Sequence, residues 1–176
     1  LAQAVEGHGA SLSGVESRAT PETEEDRREL SARAVLERET LRVALQRPDL
    51  LPERWAEVEE DDFVHPKARA VHRALAKAGG PGAELALVVD VAEDDEVRSL
   101  VRAIAIEDFT VEPDPPHVAM LVARVLLHRI EKEIAGRKSE LERVNPTVDP
   151  DGHRTRFQEL IALEAQRRDL REEASG

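Results

Sequence analysis

Cysteine is absent from the 176 residues, which excludes a disulfide framework, a thiolate metal site and a thiol nucleophile. Aromatic residues make up only 2% of the chain, too few for the stacking platforms on which single-stranded nucleic acid lies. No stretch approaches the ~18 uninterrupted apolar residues of a membrane-crossing helix. Positive charge is short as well: 25 Lys and Arg stand against 37 Asp and Glu, a formal net charge of -12. A chain that acidic is repelled by phosphate backbones and anionic lipid, so direct nucleic-acid binding and membrane attachment are disfavoured. Glycine-rich phosphate loops, nucleophile elbows and carboxylate pairs with a positioned base are missing too. These absences describe a soluble, cytoplasmic chain with no catalytic residue to nominate.

What is there is helical pattern. The length suits one domain with a real core. The chain opens on Leu1 and its only methionine is Met120, so it reads as a fragment. Residues 1–23 have neither the blocks of a signal peptide nor sustained periodicity, and read as a linker from a missing upstream region. Leu30, Ala34, Leu41, Ala44 and Leu45 then recur at helical spacing over about 24–46, with acids at the amino-terminal dipole end and Pro48 as a stop. A short helix over 52–58 offers Trp55 as its largest core candidate. Pro66 after a polar cap starts a helix to about Ala78, closed by Gly79-Gly80-Pro81-Gly82. Leu85–Val91 has valines that would permit a strand, but its neighbours are helical and helix is the expectation.

Asp94-Asp95-Glu96 caps a helix to about Ile106. From His117 to Val144, apolar residues recur at three and four, which predicts a helix about 40 Å long, more than a small core can cover. The turn Asn145 to Gly152 and a last helix to about Glu173 complete a helical hairpin. The expected fold is all-α: a globular bundle over 24–114, then a long helix and carboxy-terminal hairpin over 115–174. Gly136 inside the long helix either marks a hinge or sits exposed in an unbroken helix.

Charge divides at the same boundary, with 26 acids and 14 bases in 1–114 and 11 of each in 115–176. The histidine pairs His65 and His72, and His117 and His128, are too far apart along their helices to share an ion. The acid runs lack the alternating ligands of a calcium loop. No metal site is therefore nominated, and a metal-dependent helical hydrolase remains only a remote alternative. The last helix, in contrast, carries Phe157, Leu160, Ile161, Leu163 and Leu170, which spread wider than one stripe. The excess is a candidate protein-docking face, unless the hairpin folds back on the core.

Three motifs in order carry a resemblance. They are the first-helix string Glu37-Arg38-Glu39-Thr40-Leu41 through Leu45-Gln46-Arg47-Pro48-Asp49-Leu50, the segment Asp62-Phe63-Val64-His65-Pro66, and the closing Leu160-Ile161-Ala162-Leu163-Glu164-Ala165-Gln166. Together, over about residues 28–174, they resemble the carboxy-terminal helicase-binding domain of bacterial DnaG-type DNA primases. Arginine and alanine usage suggests an actinobacterial source.

The resemblance implies a non-catalytic module that docks on the amino-terminal domains of the hexameric DnaB-type helicase and couples primer synthesis to unwinding. It implies no cofactor in this fragment, since zinc and magnesium belong to upstream domains of the full primase. It also implies a monomer, whereas the alternative, the related amino-terminal domain of the helicase itself, would self-associate. Leu163, Gln166, Arg167 and Leu170 are the expected helicase contacts, with Leu160 and Phe157 clamping the hairpin.

Overall fold

The computed structural model describes residues 24–176; the expected linker over 1–23 lies outside the described residues. The elements are α1 (Glu24–Gln46), three 3-10 turns (Pro48–Leu50, Glu53–Glu57, Glu60–Asp62), α2 (Pro66–Lys77), α3 (Leu85–Asp90), α4 (Asp95–Ile106), α5 (Pro115–Arg143) and α6 (Pro150–Ser175). The fold is all-α, with no strand among the described residues. Leu85–Asp90 is helical despite its valines, since a lone β-run without a partner strand leaves its backbone groups unpaired.

Three helices begin alike. His65, Asp114 and Asp149 each accept a backbone N–H of the first turn, from Lys67, His117 and Gly152, and a proline follows each cap at the first helical position. The missing proline N–H is one that a helix start leaves unpaired anyway. The expected turn through Gly152 is therefore shorter, and α6 already begins at Pro150. Asp94 caps α4 through Val97 N at 2.8 Å. At the other end of α2, Gly80 adopts φ +91° and its N–H reaches back to the carbonyl of Leu75 at 2.9 Å. That left-handed stop suits glycine.

One core joins the bundle and the hairpin. Leu41, Ala44, Phe63, Val71, Leu75, Val88, Val101 and Ile104 pack with Val122, Val125, Leu126, Ile130 and Ile134 of α5 and with Leu160 and Leu170 of α6. Phe63 is the largest fully buried side chain, whereas Trp55 is only half-buried and lies against the ring of His72.

The first-helix motif is explained by what it holds. Glu37, fully buried, accepts the backbone N–H groups of Val64 and His65 at 2.7 and 3.0 Å and pairs with Arg33 at 2.9 Å. Arg38 grips Glu107 at 2.6 Å, and Gln46 donates to the carbonyls of Ile104 and Glu107 at 2.7 and 2.9 Å. The Ile104 carbonyl also accepts the N–H of Glu107, the residue that follows α4, at 3.4 Å, so Gln46 reinforces the close of that helix. Asp62 is likewise buried, accepting from Glu59 N and from Arg129 of α5. Burial pushes its carboxyl up, against the pull of the hydrogen bond and of Arg129.

α5 runs unbroken through Gly136, where an added Cβ would meet nothing within 4 Å. Gly136→Ala is expected to raise stability by about 0.5–1 kcal/mol, read as a higher urea midpoint with unchanged slope. A hinge at this position would instead show as Gly136→Ala weakening partner binding.

His72 sets an acid limit on stability. Its ring lies 5.1 Å from that of Phe63, and its buried Nδ1 has no hydrogen-bond partner among the described residues. Burial holds its pKa below the usual 6.5, with the Glu60 carboxylate opposing weakly. The unfolded chain therefore takes up this proton first as pH falls. The contribution is intact above about 6.5 and is lost as pH drops towards the folded value. His128, lowered by burial and by Arg33, has the same sign. Urea midpoints at pH 7.5 and 5.5 should fall with acid for the parent and fall less for His72→Phe.

Candidate docking surface

α6 packs along α5 through a seam of alternating three- and four-residue steps: Leu160, Leu163, Arg167, Leu170 and Ala174. Leu160 and Ala174 are buried, Leu170 is 0% exposed, and Leu163 packs partly buried on the core. Ion pairs flank the seam, joining Lys138 to Glu164 at 2.9 Å and Arg171 to Glu131 at 2.8 Å on one side, and Arg137 to Glu159 at 3.5 Å on the other. The hydrogen bond from Lys138 holds the Glu164 carboxyl below its ordinary range. Arg167 pairs with Glu164 of its own helix. Exposed pairs of this kind contribute little stability but fix which sides of the two helices meet.

Phe157 and Ile161 fall off the seam. They are 48% and 53% exposed, four residues apart, and therefore stacked on one side of α6. At 100° per residue, Arg154 and Arg168 lie on the same side, and both are largely exposed. Val148, in the turn before α6, is 81% exposed. The result is an apolar stripe near the tip of the hairpin, flanked by two arginines and about half exposed among the described residues.

This changes the sequence expectation for individual residues. Leu170, an expected partner contact, is wholly enclosed by this chain and packs in the core that α5 and α6 share. Leu160 clamps the hairpin as expected, while Phe157, expected to do the same, faces out. Gln166 and Arg167 are half-buried, and Gln166 sits on the far side of α6 from Phe157. The signal that separates the two sets was in the sequence. The seam extends backwards to Arg156, not to Phe157, so a strict three-four count assigns Phe157 and Ile161 to solvent.

Among the described residues, no group of three or more histidine, aspartate or glutamate side chains is arranged to hold a metal ion, and no helix is long and apolar enough to cross a membrane.

Residues 37–168 match the protein family described as DNA primase DnaG DnaB-binding. DNA primase from Mycobacterium tuberculosis is 32% identical over 148 residues, covering 80% of this chain and 23% of that protein. DNA primase from Streptomyces coelicolor is 30% identical over 148 residues, covering 77% and 23%. The chain thus spans about a quarter of the length of these relatives. Among solved structures, the helicase-binding domain of primase from Mycobacterium tuberculosis superposes with a TM-score of 0.71 at 32% identity, covering 80% of this chain and 92% of that one.

Proposed function

The chain belongs to the family of DnaB-binding domains of DnaG-type DNA primases, and from that premise we propose that it anchors a primase on the replicative DnaB-type helicase through α6. In this reading the activity of the whole protein is template-directed primer synthesis, carried by other parts of it. The fragment itself contributes attachment, in the cytoplasm, as a monomer and without contacting nucleic acid. Residues 24–114 form the compact part and 115–174 supply the hairpin. The contact is with the amino-terminal domains of the helicase.

The observation that supports this reading is the half-exposed Phe157–Ile161 stripe. An aromatic and a β-branched side chain standing on a rigid helix, with arginines at both ends, have the make-up of an interface hot spot. The hairpin is also the charge-neutral part of an otherwise acidic chain, so it approaches a partner without the repulsion the bundle would bring. The relatives are primases, which favours this reading over a helicase amino-terminal domain.

Calorimetry against the cognate helicase tests it. Phe157→Ala and Ile161→Ala should each weaken binding by ~1–3 kcal/mol while leaving the melting temperature nearly unchanged. Removal of residues 145–176 should abolish binding. If Gln166→Ala with Arg167→Ala weakens binding and the Phe157 variant does not, the docking face is the opposite side of α6. Sedimentation at rising concentration should give a monomer.

A further inference from the structure

A continuous line of hydrogen bonds leads from the start of α2 to the end of α6. Glu37 takes the N–H groups of Val64 and His65 and holds Arg33. Arg33 directs its other donors to backbone carbonyls: Asp62 at 2.9 Å, Val125 at 3.1 Å and Arg124 at 2.8 Å. Arg124, gripped through its own carbonyl, reaches across with its side chain, and its Nε donates to the carbonyl of Ala174 at 3.1 Å. That carbonyl lies in the last turn of α6, where helix carbonyls lack partners and a cation is favoured. Arg54, from the second 3-10 turn, meets the neighbouring Glu173 at 3.0 Å.

The apolar seam does not do the same job. Burial of Leu160, Leu163 and Leu170 presses α6 onto α5 without setting its direction, and the ion pairs that choose its inner side are exposed and hold it only loosely. A hydrogen bond weakens steeply with angle, so it fixes register. The lever matters because Phe157 lies 17 residues from Ala174, about 26 Å along the helix. Freedom at the last turn is passed along the rigid helix to the stripe, opposed there by Leu160 and the exposed Arg137–Glu159 and Lys138–Glu164 pairs.

We propose that Arg124 is a positioning residue for docking: it touches no partner, and its bond to the end of α6 sets the direction in which Phe157 and Ile161 are presented. The affinity part of this inference rests on the docking function proposed above; the geometric part does not. An interface presented in its bound orientation avoids the ordering cost that a loose one meets on association.

The absence of cysteine makes the test direct. Spin labels at Asp90→Cys in the bundle and Thr147→Cys at the hairpin tip report the distance between the two parts. The parent should give one narrow distribution. Arg124→Ala should broaden or shift it, keep the melting temperature within a few degrees because the side chain is exposed, and weaken binding of the cognate helicase by about tenfold. Arg124→Lys, which keeps a donor and the charge, should recover part of both. An unchanged distribution in Arg124→Ala overturns the proposal, and so does a broadened distribution with unchanged affinity. A parent chain that fails to bind helicase overturns the docking function, whatever the labels show.

Discussion

Glu37→Ala is expected to destabilise the fold by ~3–5 kcal/mol, a large part of the ~5–15 kcal/mol that holds a domain of this size together. The carboxylate is 0% exposed and accepts from two backbone N–H groups and one guanidinium. Removing it leaves Val64 N and His65 N without their acceptor, and water cannot reach in to replace it without opening the contact between α1 and α2. An unsatisfied buried donor costs ~1–3 kcal/mol, and here there are two, beside an Arg33 that keeps its bonds to backbone carbonyls but loses its counter-charge. Glu37→Gln keeps one acceptor oxygen and should lose roughly half as much. Urea unfolding followed by Trp55 fluorescence measures both. A loss below ~1 kcal/mol for the alanine variant would mean that the carboxylate only compensates for its own burial.

The same residue shows why so much of the bundle was legible. The string from Glu37 to Gln46 is a set of positions each fixed by one obligation: Glu37 closes the entry to α2, Arg38 pairs with Glu107, Leu41 and Ala44 fill the core, and Gln46 caps α4. Asp62-Phe63-Val64-His65-Pro66 meets that string from the other side, with Asp62 and Phe63 buried and His65 capping α2. Such residues cannot drift independently, so they form a readable pattern. Helix starts were equally plain, because a cap followed by proline leaves few alternatives. Trp55, the largest core candidate of its segment, does pack against the core but only partly buried, because the chain around it folds as a 3-10 turn on the core's surface.

The hairpin was legible in outline and not in orientation. Two apolar sets run along α6, and periodicity establishes that both exist without saying which one α5 covers. The spacing of seven between Leu163 and Leu170 places them on one side of α6, and that side proved to be the inner one. Only the length of the three-four series, continued through Arg167 and Ala174, distinguishes the seam from the stripe. Arg167 disguises it, since a charged residue in a seam position reads as a surface residue until its flanking partner Glu164 is seen.

Leu170 therefore becomes the sharpest test of the inner side. Leu170→Ala removes three carbons from a site with no exposure at all, where truncation of a leucine costs ~2–5 kcal/mol according to how far the surroundings collapse. The collapse is limited here, because Ala174 is pinned one turn away by Arg124 and Glu173 by Arg54. The upper part of that range is the expectation, read as a lower urea midpoint and as faster hydrogen exchange across the last turns of α6. Leu170→Met, which roughly conserves volume, should cost less than ~1.5 kcal/mol. Phe157→Ala provides the contrast, with a melting temperature near that of the parent and weakened binding. Should Leu170→Ala leave stability untouched while weakening binding as Phe157→Ala does, the leucine would be a contact residue after all and α6 would have to leave α5 to meet its partner.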